Sequence, residues 1–192
     1  MSALAGQSTR ERLLAAGREL IEQGGYAAAP VAAIAERAGV AAGTLYRHFE
    51  SKSELFLEVF RNVCEGEERA MRAAADEAGP SAVDRVEAVL TTFARRALQN
   101  RSLAWALLAE PVDKLVDAER LAYRERYAGV VARELRTAIE AGEIPAQDVE
   151  FTAAALVGGC GEALVGPLSA VGGGEDVVAS IRLFVRRAVG AA

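Results

Sequence analysis

Residues 31–49 read VAAIAERAGVAAGTLYRHF, and this stretch decides the fold. Ile34, Ala35 and Ala38 recur at i, i+1 and i+4 on one face of a short helix, and Leu45 and Phe49 at i, i+4 on a second. Val40 lies between them, so these six side chains predict a small shared core. Gly39 stands where the backbone must leave the first helix, a position whose left-handed φ costs glycine little. Two short helices about a tight glycine turn have the form of a helix-turn-helix. With Leu45 and Phe49 inward, helix geometry puts Gly43, Thr44, Tyr46, Arg47 and His48 on the outer surface. Thr44, Tyr46 and His48 suit phosphate oxygens, Arg47 suits a phosphate or a guanine edge, and Gly43 permits close backbone approach. The spacing alone fits an ordinary helical hairpin with a wet face equally well.

The flanking residues decide between the two. Gly25-Tyr26, Ile34-Ala35, Ala38-Gly39-Val40, Gly43-Thr44-Leu45-Tyr46, His48-Phe49, Ser51-Lys52 and Leu55 fit, at fixed spacing and without a gap, a pattern that resembles the TetR family of bacterial repressors over roughly residues 8–60. The resemblance implies a three-helix DNA-binding head, residues 1–52, and a helical ligand-binding and dimerisation body, residues 53–192, with about nine helices in all. It implies double-stranded operator DNA, a second copy of the chain and a small-molecule effector as partners. The DNA contacts it implies are Ala42, Gly43, Thr44, Tyr46, Arg47, His48 and Lys52. Two places depart from the family's pattern: Ala29-Pro30, where Ser or Thr is common, and Ala41-Ala42, where a Ser, often followed by Lys, is common. A capping hydroxyl missing at Ala41 costs the second helix on the order of 1 kcal/mol.

Composition agrees with a helical regulator and offers little to an enzyme. The 192 residues are 52% apolar, ample for a substantial core. Charges interrupt every apolar run, so no membrane helix is expected, and Met1–Gln7 lacks the basic start and apolar stretch of a signal peptide, which predicts a cytoplasmic protein. Cys64 and Cys160 are the only cysteines and read as buried thiols rather than a disulfide, with a redox switch as the lesser alternative. His48 is the sole histidine, and no metal-ligand spacing, nucleophile elbow or phosphate-cradling glycine loop is present, so neither a metal nor another cofactor is expected. The net charge of −5 is uneven: residues 1–52 carry +1 and the remainder −6. Affinity for DNA must then come from placed contacts and dimerisation rather than bulk charge.

In chain order, Ser8-Thr9-Arg10-Glu11 is a capping box opening a helix that ends at Gly24-Gly25. Arg10 and Arg12 either reach phosphate or solvate that helix's first turn. Ser51-Lys52-Ser53-Glu54 is a second box, opening a rod to about Ala78, and Lys52 at its positive end suits a phosphate. Gly79-Pro80 breaks the rod and Ser81 caps the next helix. Further helices are predicted over 103–109, over 117–141 with Leu121, Tyr127, Val131, Leu135 and Ile139 on one face, over 150–165 and over 176–189. Gly166-Pro167 and Gly172-Gly173-Gly174 separate the last two. Nothing alternates with period two for long, so the chain is read as all-α.

The last two helices are apolar on more than one side, and Gly158, Gly159 and Gly161 sit inside one of them at a cost of up to about 1 kcal/mol each. Close approach across a two-fold axis compensates, as the dimer that the resemblance implies requires, with Ile181 and Phe184 on the partnering helix. Tight packing within one subunit is the alternative. Phe93, Trp105, Tyr123 and Tyr127 fall on helices that would enclose the centre of the body, as core or as the wall of an effector pocket. Arg96, Arg124 and Glu162 are the candidates for its polar contacts.

Overall fold

Nine helical segments and no strand run through the described residues, which are 7–165 and 174–191 of the computed structural model. The expected break at Gly166-Pro167, and most of that at residues 172–174, lie outside them. Helix α1 (Thr9–Gly24) opens on both arms of its capping box: Ser8 Oγ accepts from the Glu11 amide at 3.2 Å, and the Glu11 carboxylate accepts from the Ser8 amide at 2.7 Å. Helix α2 (Val31–Arg37) follows Pro30, whose extended backbone suits the position before a helix. The chain then turns at Gly39, φ +69°, with Val40 N–H donating to the Ala35 carbonyl at 2.9 Å.

The second helix of the motif is a 3₁₀ segment, η1 (Ala42–Arg47), rather than an α-helix. No side chain caps it at Ala41, and Gly43 lies in its first turn. An uncapped start with an early glycine favours the tighter i→i+3 bonds, as from Thr44 N–H to the Ala41 carbonyl at 2.8 Å. Helix α3 (Lys52–Glu77) is the expected rod, about 40 Å long at 1.5 Å per residue. Ser51 Oγ accepts from the Glu54 amide at 3.1 Å, while the Glu54 carboxylate takes the amide of Glu50 instead of closing the box on Ser51.

The chain forms two compact units, Met1–Val63 with Ser102–Glu119, and Cys64–Arg101 with Arg120–Ala192. They part elsewhere than at residue 52: the first unit takes in the start of α3, all of α5 (Arg101–Leu108) except its first residue, and the first turns of α6 (Lys114–Glu140). Its core holds Leu13, Ile21, Ile34, Leu45, Phe49, Leu55 and Phe56, each no more than 2% exposed. Of the six side chains expected to share the core of the motif, five are buried and Val40 is half-buried. Tyr26 meets Phe56 edge-on, ring centroids 5.0 Å apart.

In the second unit α4 (Ala82–Gln99) packs on α7 (Val149–Val165) and α8 (Gly174–Val189). Arg186 on α8 bridges Asp84 at 2.5 Å and Glu87 at 2.7 Å on α4. Helix α6 starts three residues before the predicted Asp117, because the Asp113 carboxylate caps it by accepting from the amides of Leu115 and Val116 at 3.0 and 3.1 Å. Its buried face carries Tyr123, Tyr127, Val131 and Leu135; Leu121, placed on that face by periodicity, is exposed. No described helix is long and apolar enough to cross a membrane.

A second carboxylate clamps α4. Besides the expected cap by Ser81, Glu143 accepts from the Ala82 and Val83 amides, both at 3.1 Å, and from Ser81 Oγ at 2.8 Å. The backbone amides of Val83 and Ala82, then Ser81, hold the Glu143 carboxyl below its ordinary range. A depressed folded pKa contributes stability that is present above the unfolded value and lost as pH falls through the folded one. Urea midpoints should therefore fall below about pH 4.5, and Glu143→Gln should reduce that acid sensitivity.

Candidate nucleic-acid interface

The outward face of η1 carries the residues the sequence assigned to it. Ala42, Gly43, Tyr46, Arg47 and His48 are exposed and Thr44 is half-buried, while Leu45 and Phe49 anchor the segment inward. Tyr46 is 59% exposed, a large ring held out in water with Arg47 beside it. A Cβ built on Gly43 meets nothing within 4 Å, so the fold itself does not demand glycine there. This is a convex, hydrogen-bonding strip on a short helical segment, of the kind that enters a major groove.

The flanking cations divide. Arg10 is taken up inside the unit, paired with Glu58 and stacked over the Phe49 ring at 4.8 Å. Arg12 donates to Thr9 Oγ1 at 3.3 Å and lies against the Gly39 turn, with a guanidinium nitrogen 3.8 Å from where a Cβ would sit. Lys52, expected to clamp a phosphate, is half-buried and has partners within the unit. Its ammonium donates to the Tyr26 carbonyl at 2.7 Å and lies 3.7 Å from the centre of the Tyr26 ring. Burial lowers the Lys52 pKa, against the opposing pull of the Glu110 charge.

Glu110 is the residue that sequence reasoning missed. It is only 8% exposed and accepts from the amides of Tyr26 at 2.7 Å and Ala27 at 2.9 Å, more than eighty residues away in the chain. No local motif marks it; a glutamate before Pro111 reads simply as the end of a helix.

The helix-turn-helix with its outward strip now stands beside what is known of other chains. Residues 13–59 match the model of the bacterial regulatory proteins of the tetR family. The transcriptional regulator UidR of Escherichia coli is 30% identical over 140 residues, covering 72% of this chain and 70% of its own. The chain belongs to the TetR family. It is accordingly a helix-turn-helix transcriptional regulator, like the relatives it matches. The transcriptional repressor KstR of Rhodococcus jostii is 35% identical over 95 residues, which span 50% of this chain and 43% of that one. The TetR-type fold extends through the second unit's helices as well: FadR from Bacillus subtilis, solved in complex with stearoyl-CoA, superposes with a TM-score of 0.76 at 21% identity over 95% of this chain and 98% of its own.

The candidate effector residues are only partly brought together. Phe93, Tyr123 and Tyr127 form one buried cluster, with ring centroids 5.9 Å apart for Phe93 and Tyr127 and 6.0 Å for the two tyrosines. Tyr127 donates to the Cys64 carbonyl at 3.1 Å, and burial pushes its phenol well above the ordinary range. Arg126 stacks over Tyr123 at 4.4 Å and pairs with Glu68 at 2.6 Å. Trp105 belongs to the first unit and is 45% exposed, because α5 buries Ala104, Ala106 and Leu107 and turns the indole outward. Arg96 is an exposed partner of Glu67 at 2.6 Å, Arg124 is exposed, and Glu162 lies on the exposed face of α7. Burial pushes the Cys160 thiol up to about 12, which keeps it protonated and unreactive. Among the described residues no three His, Cys, Asp or Glu side chains gather to hold a metal ion.

The glycines of α7 face outward. Gly158 and Gly159 are exposed; a Cβ on Gly158 or Gly161 meets nothing, and one on Gly159 stops at an ordinary 3.6 Å from the Phe184 ring. Packing among the described residues therefore does not require them. With Phe151 at 72% exposure, Leu183 at 49% and Phe184 at 45%, and with exposed Ala154 and Ala155, they make an apolar strip on α7 and α8. Ile181 is not part of it: at 4% exposure it sits in the unit's own core with Val177, Val178 and Val185.

Proposed function

We propose that this chain is a homodimeric repressor that binds a two-fold operator through η1 and lets go when a small molecule enters the second unit. The observation that carries the DNA-binding part is the outward strip itself. Arg47 is exposed with no intramolecular partner among the described residues, whereas Arg10, Arg18 and Arg37 in the same unit are each paired with a glutamate. An arginine left available beside Thr44, Tyr46 and His48 fits a guanine edge or a phosphate.

The apolar strip of α7 and α8 supports a second copy as partner, since glycines without an internal role and exposed phenylalanines suit close contact between helix backbones. The buried Phe93, Tyr123 and Tyr127 cluster supports an apolar effector, with Arg126 near its polar end. Because the fold resembles that of a protein holding stearoyl-CoA, long-chain acyl-CoAs are the first compounds to test. A coupling of about 1 to 3 kcal/mol between effector and operator suffices for release.

Arg47→Ala tests the reading. Its operator affinity should fall by roughly 1 to 3 kcal/mol, about 5- to 150-fold, with weakened preference at one base pair. Fluorescence titrations on the selected operator and on random DNA at several salt concentrations check this. Equal losses on both DNAs would reduce Arg47 to a phosphate contact, and no loss on either would remove η1 from the interface.

A further inference from the structure

The loop that launches the helix-turn-helix is held by a carboxylate from far along the chain. Gly25 has φ +82°, and a Cβ there would stand 2.7 Å from Glu110 Oε2, so the backbone of residues 25–27 lies directly against the glutamate. Each carboxylate oxygen accepts one loop amide, Oε2 from Tyr26 and Oε1 from Ala27, which is the charge-assisted bidentate form of the bond. A buried anion is stable only when its charge is answered, and Lys52, held on Tyr26, stands near enough for the Glu110 charge to raise its pKa. A second tie runs alongside: Tyr26 and Ser53 share a hydroxyl contact at 3.2 Å, and Ser53 hydrogen-bonds Asp113, the cap of α6. Buried Ala29 and then Pro30 carry this loop straight into α2. Where the loop sits fixes where α2 and η1 point.

We propose that Glu110 is a positioning residue for operator recognition, setting the helix-turn-helix through the amides of Tyr26 and Ala27 without touching DNA. This rests on the operator-binding reading above. Direct readout depends on holding a few side chains within about half an ångström of their bonding geometry at base edges, while non-specific binding to phosphates tolerates a displaced head. Loss of the Glu110 clasp should therefore reduce discrimination more than affinity for DNA in general.

The test compares this chain with the variant Glu110→Gln, which keeps the shape but turns one acceptor into an N–H facing an N–H. Glu143→Gln removes an equivalent clasp on α4 and serves as the control. Affinity is measured for a selected operator and for random DNA of equal length, and hydrogen exchange is followed at the Tyr26 and Ala27 amides. Glu110→Gln should speed exchange at both amides and lower operator affinity about tenfold, leaving random-DNA affinity and salt slope within twofold of wild type; Glu143→Gln should leave the operator-to-random ratio unchanged. An unchanged ratio in Glu110→Gln, or an equal fall on both DNAs, overturns the positioning role. If the wild-type protein itself shows no preference for any selected sequence, the operator reading fails and the proposal fails with it.

Discussion

Phe56→Ala should cost about 3 to 5 kcal/mol and leave the first unit unable to bind DNA at ordinary temperature. The ring is fully buried at the junction of the α1–α2 loop and α3, edge-on to Tyr26 and tilted 6.3 Å from Phe60. Truncation removes its transfer free energy and leaves a cavity between elements whose contact defines the unit. Because Tyr26 also carries the Lys52 and Glu110 ties, collapse into that cavity would draw the loop away from its hydrogen bonds. Chemical denaturation followed by circular dichroism should show a lowered midpoint. A loss under 1 kcal/mol would mean that the site repacks freely and that the head's rigidity comes from elsewhere.

Phe184→Glu should convert the proposed dimer to monomer and abolish high-affinity operator binding together with it. The side chain is half-exposed and its ring lies 3.6 Å from where a Gly159 Cβ would be, so one subunit tolerates the charge without unfolding. Across a two-fold interface the two carboxylates would be brought close together and desolvated, which costs several kcal/mol. Two linked heads bind a two-fold site with an avidity roughly 10² to 10⁴ above one, so operator affinity should fall over that range. Sedimentation velocity and operator titration of the same sample check both halves. A dimer that survives with intact operator binding would mean that the strip on α7 and α8 faces something other than a second copy.

The head was legible because its determinants are local. A capping box at Ser8, a hydroxyl cap at Ser51, a glycine turn at Gly39 and the i, i+4 pair Leu45 and Phe49 each act within a few residues, and each stands where the local pattern placed it, although Glu54 does not close the box expected at Ser51. The missing hydroxyl at Ala41 foreshadowed a weak second helix, and a 3₁₀ segment stands there. What escaped the sequence acts over long range. Glu110 and Glu143 hold backbone amides about sixty residues or more away, and an isolated glutamate carries no pattern that points to such a partner. Lys52 was read from its place at a helix start, and its contacts with the Tyr26 ring and carbonyl had no local signal.

In the second unit, periodicity found the helices and could not orient them. Helix α8 is apolar on two sides, so nothing local told Ile181, which faces the core, from Phe184, which faces out. Trp105 failed for the same reason: in an eight-residue helix where nearly every side chain is apolar, the largest ring is the natural choice for burial, and the small alanines and Leu107 took that place. Of the aromatic candidates for the proposed effector site, Phe93, Tyr123 and Tyr127 touch one another.

The central claim is that two copies of this chain read a two-fold DNA site through η1. Selection of bound DNA from a random pool, sequenced and then footprinted with wild type and Arg47→Ala, tests it most directly. The predicted result is an enriched palindrome whose half-sites are protected about one helical turn apart, roughly 34 to 36 Å, and lose protection in the variant. Enrichment of sequences without two-fold symmetry, or protection unaffected by Arg47→Ala, would contradict it.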